Sequence, residues 1–211
     1  MTNRRIILLC GETEGDAFRT HLMRLNPEVE VIWVSSAAAL DLATRQDCSR
    51  TRLISFLTNV IVPRTILARL GPVPYNIHPA SPDYPGAHGL SFAIFEDASR
   101  FGVTAHEMTA KVDAGPIVMV DWFSLPCDAE LVPFGNDVYA RAIGVFDMVA
   151  RHCLMSDEPL PAMNERWASR MCTKKRFREL MSAERYLLPG DQERLRRACG
   201  PHLKGIARRH G

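Results

Sequence analysis

Short unbroken apolar runs alternate with stretches of helical periodicity through the first part of the chain. Ile6 to Cys10 is continuously apolar, which predicts a strand buried on both faces. After the loop Gly11-Glu12-Thr13, the positions Ala17, Phe18, His21, Leu22 and Leu25 recur at helical spacing, predicting a helix over 14–25 that Asn26-Pro27 ends. Val29 to Val34 and Leu53 to Leu57 read as the second and third strands, with a short helix over Ala37 to Ala43 between them. A further helix is expected from Pro63 to Leu70, opened by proline and stopped by Gly71-Pro72. This β-α-β-α-β-α series predicts an α/β fold: a Rossmann-like, mainly parallel sheet with helices on both faces and ligands at the carboxyl ends of its strands.

The pattern changes at Pro72. Residues 72–86 are rich in proline and glycine and predict a shaped loop around a short strand, Tyr75 to His78. A helix over Gly89 to Phe95 and two strands, Gly102 to Met108 and Ile117 to Phe123, follow. Val138, Ala142, Val145, Val149 and Cys153 then recur at steps of four, three, four and four, an amphipathic helix over 136–153 that closes the body.

Composition supports one folded body with an appendage: 211 residues, 46% hydrophobic and 24% charged, far from the disordered regime. No apolar run approaches the roughly 20 residues of a membrane span. The run after Arg4-Arg5 is too short for a secretory signal. Six cysteines at irregular gaps, with no C-x-x-C pair, suggest neither a zinc site nor a disulfide framework, and favour a reduced, cytoplasmic setting. The net charge of +2 hides an asymmetry. Residues 166–211 carry 13 Lys/Arg against 4 Asp/Glu, so we expect a body, 1–165, and a short basic C-terminal extension, 166–211.

Three polar groups could carry chemistry. Asn76 and His78 stand two apart in an extended segment and so project from one face. Asp113 lies in Val112-Asp113-Ala114-Gly115, where glycine allows close backbone approach. An amide, an imidazole and a carboxylate suffice for acyl transfer. Spacing alone equally allows a turn-capping Asn76, a satisfied core His78 and a turn residue Asp113.

At these residues the sequence resembles the formyltetrahydrofolate-dependent formyltransferases. The likeness rests on Asn76-Ile77-His78-Pro79, Tyr84-Pro85-Gly86, residues 101–108 and Val112-Asp113-Ala114-Gly115-Pro116-Ile117, in that order. It is clear over about 52–125. It implies the formyltransferase fold over 1–165 and makes Asn76, His78 and Asp113 the catalytic trio. Asn76 and His78 would stabilise the developing oxyanion by about 3 to 4 kcal/mol each, while Asp113 holds the imidazole and helps to remove a proton. The formyl donor implied is 10-formyltetrahydrofolate, with no metal. Its pteridine would lie against the backbone of Phe56, Leu57, Thr58, Asn59, Val60, Ile61 and Val62, and of Thr109, Ala110, Lys111 and Val112. His106 also matches a family position, although its place in an alternating strand favours a structural role. His88, beside the Gly86 loop, could touch substrate.

Departures from the family narrow the acceptor. Glu12, Glu14 and Asp16 stand where glycinamide ribonucleotide formyltransferases carry a phosphate loop, and they would repel a phosphate. The 46 residues after Glu165 are too few for the C-terminal barrel of methionyl-tRNA formyltransferases. Formyltetrahydrofolate hydrolases usually carry an N-terminal regulatory domain, which a first strand starting at Ile6 leads us not to expect. The expected reaction is formyl transfer to a small-molecule amine, favouring a nucleotide-linked amino sugar. A hydrolase, a methionyl-tRNA formyltransferase-like protein lacking the barrel, and a non-catalytic folate-binding module are the alternatives. The extension, from Trp167 to Arg178 and from Arg194 to Arg209, could serve an anionic acceptor or be a solvated helical surface. It carries no recognisable nucleic-acid module, no membrane partner is expected, and a homodimer is allowed without being specified.

Overall fold

The first apolar run forms β1 (Arg5–Leu9) in the computed structural model, which describes residues 5–183 and 187–207, and the side chains of all of these but 201 and 203–207. Then follow α1 (Glu12–Leu25), β2 (Glu30–Val34), α2 (Ala37–Ala43), β3 (Thr51–Phe56), α3 (Arg64–Leu67), β4 (Tyr75–His78), α4 (Gly89–Phe95), β5 (Arg100–Glu107), β6 (Ile117–Ser124) and α5 (Leu131–Met155). Two helices, α6 (Lys174–Ser182) and α7 (Pro189–Ala207), end the series. The sheet order is β2-β1-β3-β4-β5-β6. The pairs β1–β2, β1–β3 and β3–β4 are parallel and β4–β5 is antiparallel. The sheet is therefore mixed, with the parallel part where the alternating pattern predicted it.

The expected elements are present and differ mainly at their ends. The helix expected from Pro63 to Leu70 is a single turn capped by Pro63. Beyond it the chain tightens through Arg69 N to Ile66 O and Leu70 N to Leu67 O, so that Gly71 N reaches Cys48 O at 3.0 Å. A Cβ on Gly71 would stand 1.7 Å from Ser49 O, which makes glycine the residue that permits this approach. Helix α5 starts at Leu131, five residues ahead of the expected start at Asn136. Pro133 sits in its first turn, where the missing N–H has no helical acceptor to lose.

The chain forms two compact units. Unit 1 comprises residues 1–78, 104–119 and 142–165. Its central strands are buried throughout, Ile6 to Leu9 of β1 and Leu53 to Phe56 of β3 being almost fully enclosed. On one face Ile7, Leu9, Val34 and Leu53 pack with Leu40 of α2 and Ile66 of α3. On the other Phe56 meets Phe18 of α1 edge-on at 4.9 Å, and Phe146 of α5 stacks on Phe18 at 4.1 Å. Helices thus cover both faces here. Phe146 also meets Phe56 edge-on and is 1% exposed. Phe146→Ala is expected to cost about 3 to 5 kcal/mol, the cost of emptying a large aromatic site. Urea unfolding should show a lower midpoint at unchanged slope; a loss below about 1 kcal/mol would mean that the aromatic triplet does not anchor α5.

Unit 2 comprises residues 79–103, 120–141 and 166–211. Helix α4 packs on α7, whose buried Leu195, Ala198 and Cys199 fall at the three- and four-residue steps of one helical face. Phe101 meets Tyr84 and Phe123 at about 6 Å, and the Arg100 guanidinium lies 3.9 Å over the Trp122 ring. Arg208 and Arg209 of the basic extension, with Arg185, lie outside the described residues.

Candidate active site

Strand β4 holds Tyr75, Ile77 and His78 buried and Asn76 half-buried. Its antiparallel register with β5 sets Asn76 directly opposite His106 and His78 opposite Thr104. Opposed residues of such a pair share a face, with side chains about 5 Å apart. The Asn76 amide nitrogen accordingly lies 3.0 Å from His106 Nε2.

Asp113 comes to the same face from the turn between β5 and β6. It adopts a left-handed backbone, φ +44°, a conformation that Asp tolerates better than most residues. Gly115 closes the turn, since a Cβ there would stand 1.9 Å from Glu107 O. The Asp113 carboxylate faces two rings: Oδ2 is 3.6 Å from His78 Nδ1 and Oδ1 is 3.4 Å from His106 Nε2. His78, His106 and Asp113 are all at least nine-tenths buried, so water screens these charges weakly.

One tautomer follows from geometry. His106 Nδ1 lies 2.8 Å from Glu107 O, and a carbonyl only accepts, so Nδ1 carries a proton. In the neutral ring Nε2 then accepts from the Asn76 N–H, which fixes the amide's orientation. The second Asn76 N–H stays free to point elsewhere. His106 thus contacts both Asn76 and Asp113 as well as the backbone of its own strand.

The two stretches expected to meet a pteridine also belong to this unit. Leu57 N donates to Ile77 O at 3.3 Å, tying the start of the 56–62 loop to the strand that carries Asn76 and His78. Leu57 is left-handed, φ +47°, a strained conformation for a leucine. The rest of the loop divides by burial. Phe56 and Val62 are core residues, Val60 N is held by Thr58 Oγ1 at 3.1 Å, and Ile61 is 67% exposed. In the second stretch Thr109 Oγ1 donates to Lys111 O at 2.8 Å, and Val112 is 45% exposed. Ile61 and Val112 give these loops apolar surface beside main-chain donors and acceptors, as a flat heterocycle requires.

The loop 56–62 leaves β3, and β3 and β2 flank β1 on opposite sides. That arrangement is the switch point at which open α/β sheets bind ligands. Cys10, at the end of β1, supplies no thiolate: burial, then Glu14, pushes its thiol up to about 12. Among the described residues no group of three or more His, Cys, Asp or Glu side chains is arranged to hold a metal ion. His88 lies in unit 2, where its ring stacks on Phe177.

No protein-family model and no curated protein sequence matches the chain. Solved structures do. A sugar N-formyltransferase from Shewanella sp FDAARGOS_354 superposes with a TM-score of 0.73 at 14% identity, covering 93% of this chain and 88% of the other. The formyltransferase PseJ from Anoxybacillus kamchatkensis, in complex with UDP-4,6-dideoxy-4-formamido-L-AltNAc and tetrahydrofolate, gives 0.67 at 19% identity, covering 90% and 97%. HypX from Aquifex aeolicus, in complex with tetrahydrofolic acid, gives 0.63 at 17% identity over 95% of this chain and 35% of that one. The fold is that of the short sugar N-formyltransferases, as the motifs led us to expect.

Proposed function

We propose that the chain transfers the formyl group of 10-formyltetrahydrofolate to the amine of a small acceptor, and that the acceptor is a nucleotide-linked amino sugar. The observation that carries this reading is the single carboxylate, Asp113, facing both His78 and His106 while His106 orients Asn76. Folate and a nucleotide-sugar product occur together in the PseJ complex, which supports the choice of donor and acceptor class. The reduced, cytoplasmic setting and the catalytic role of residues 1–165 remain part of this proposal.

The residues divide the reaction as follows. The acceptor nitrogen bonds to the formyl carbon, the carbonyl oxygen gains charge, and the bond to the folate nitrogen breaks. The second Asn76 N–H and, with the ring protonated at both nitrogens, His78 Nε2–H donate to that oxygen, in surroundings where such donors are worth more than in water. Asp113 holds His78 through Nδ1, leaving Nε2 to face the substrate, and takes up the proton that the acceptor nitrogen sheds once the neutral amine has added to the formyl carbon, directly or through water. The proton passes finally to the departing folate nitrogen, so the atoms balance without a nucleophilic side chain. Main chain at 57–62 and 109–112, with Ile61 and Val112, would receive the pteridine.

The test offers 10-formyltetrahydrofolate with a panel of nucleotide-linked amino sugars and follows both mass gain on the acceptor and tetrahydrofolate release. We expect release that matches acceptor formylation mole for mole. Rapid release without an amine would instead make the chain a hydrolase, water taking the amine's place. Tetrahydrofolate at 100 times its Kd should also raise the stability of the folded protein by about 2.7 kcal/mol. An unchanged Tm at that concentration would remove folate from the scheme.

A further inference from the structure

Within unit 2 the C-terminal extension lies along the loop that runs on in sequence from His78. Ala168 N donates to Pro82 O at 2.9 Å, Cys172 N to Pro85 O at 2.7 Å, and Ala87 N to Cys172 O at 2.7 Å. Gly86 and Cys172 form a parallel β-bridge. Gly86 has φ +99°, and a Cβ there would stand 2.2 Å from Cys172 O, so the contact requires glycine twice over. Just beyond the bridge the His88 ring lies flat on Phe177, centroids 3.9 Å apart, with His202 edge-on to both. Thr173 caps α6 and so fixes where Phe177 points.

The extension's basic residues are partly engaged on the same unit. Arg170 pairs with Glu96, while Arg194 and Arg197 both reach Asp97, Arg194 at 2.5 Å. A solvated tail or an arm for nucleic acid would leave these cations to solvent and would not pair its backbone with a loop. The geometry points to a different role: we propose that the extension is a brace that sets acceptor affinity, with 168–172 and Phe177 holding the loop 79–88 in its binding form. His88 and Phe177 are then positioning residues. The acceptor part rests on the formyl-transfer reading, whereas the brace itself does not.

The experiment uses the full chain with His88→Ala and Phe177→Ala, and Phe177→Tyr as the ring-preserving control. Hydrogen exchange by mass spectrometry should speed up in peptides covering 82–88 in both alanine variants while 5–60 stays unchanged. In the transferase assay the acceptor KM should rise about three- to tenfold, the scale of one lost aromatic pair, with kcat and donor KM within about twofold and Phe177→Tyr near wild type. Unchanged exchange at 82–88 in His88→Ala overturns the brace. A fall in kcat at constant acceptor KM, or an equal rise in both KM values, overturns the assignment to acceptor affinity. Wild-type protein that formylates no amine defeats the proposed function instead, and the exchange result still judges the brace.

Discussion

Replacing Asn76 with alanine is expected to lower turnover by about 10² to 10³-fold, the usual effect of removing one oxyanion donor. The expectation rests on the His106 tautomer. With His106 Nδ1 committed to Glu107 O, Nε2 of the neutral ring accepts from the Asn76 amide, and the other Asn76 N–H is left to point elsewhere. Tetrahydrofolate affinity should change little, since the donor is needed only as charge develops on the oxygen. Steady-state kinetics with thermal unfolding separates the outcomes. A kcat within about threefold of wild type would take Asn76 out of the mechanism, and loss of folding would return it to a structural part.

Asp113→Asn should be as severe, about 10² to 10⁴-fold in kcat, the range attributed to positioned acid–base groups. Asparagine is the informative replacement because it accepts the left-handed backbone that Asp113 adopts at φ +44°. The fold is therefore conserved while the negative charge between His78 and His106 is lost. An amide would also present an N–H to one of the two rings and disturb its tautomer. The check is kcat against pH alongside the unfolding midpoint. Activity near wild type with an unchanged profile would show that neither proton removal nor ring orientation depends on this carboxylate.

Much of this architecture was legible in the sequence because its central strands are buried on both faces. Ile6 to Leu9 and Leu53 to Phe56 are nearly unbroken apolar runs, and such runs read clearly against amphipathic helices. Asn76 and His78 were legible through their two-residue spacing. The part of His106 was not. It depends on the register between β4 and β5, strands that residues 79–99 separate and whose pairing no local pattern specifies. A signal was nevertheless present: Thr104 and His106 repeat along β5 the polar two-residue spacing of Asn76 and His78 along β4. Helices α6 and α7 were obscured for another reason. Their buried side chains, Phe177, Leu195, Ala198 and Cys199, are few and sit among charges, so net charge dominated the reading.

The register also bears on how this chain can change length. His78 and Thr104 are direct partners, so the segment 79–103 leaves and rejoins its strands at points about 5 Å apart. Closing that loop is an entropic cost already met, and it grows only logarithmically with length, about 0.6 kcal/mol for each doubling. Inserted residues in the parts of 79–99 outside α4 can therefore be absorbed without displacing Asn76 from His106. A single residue inserted between Asn76 and His78, or between Thr104 and His106, has no such freedom. It would reverse which side chains point to the site. One segment can thus change length while Asn76 and His78 keep their strand partners.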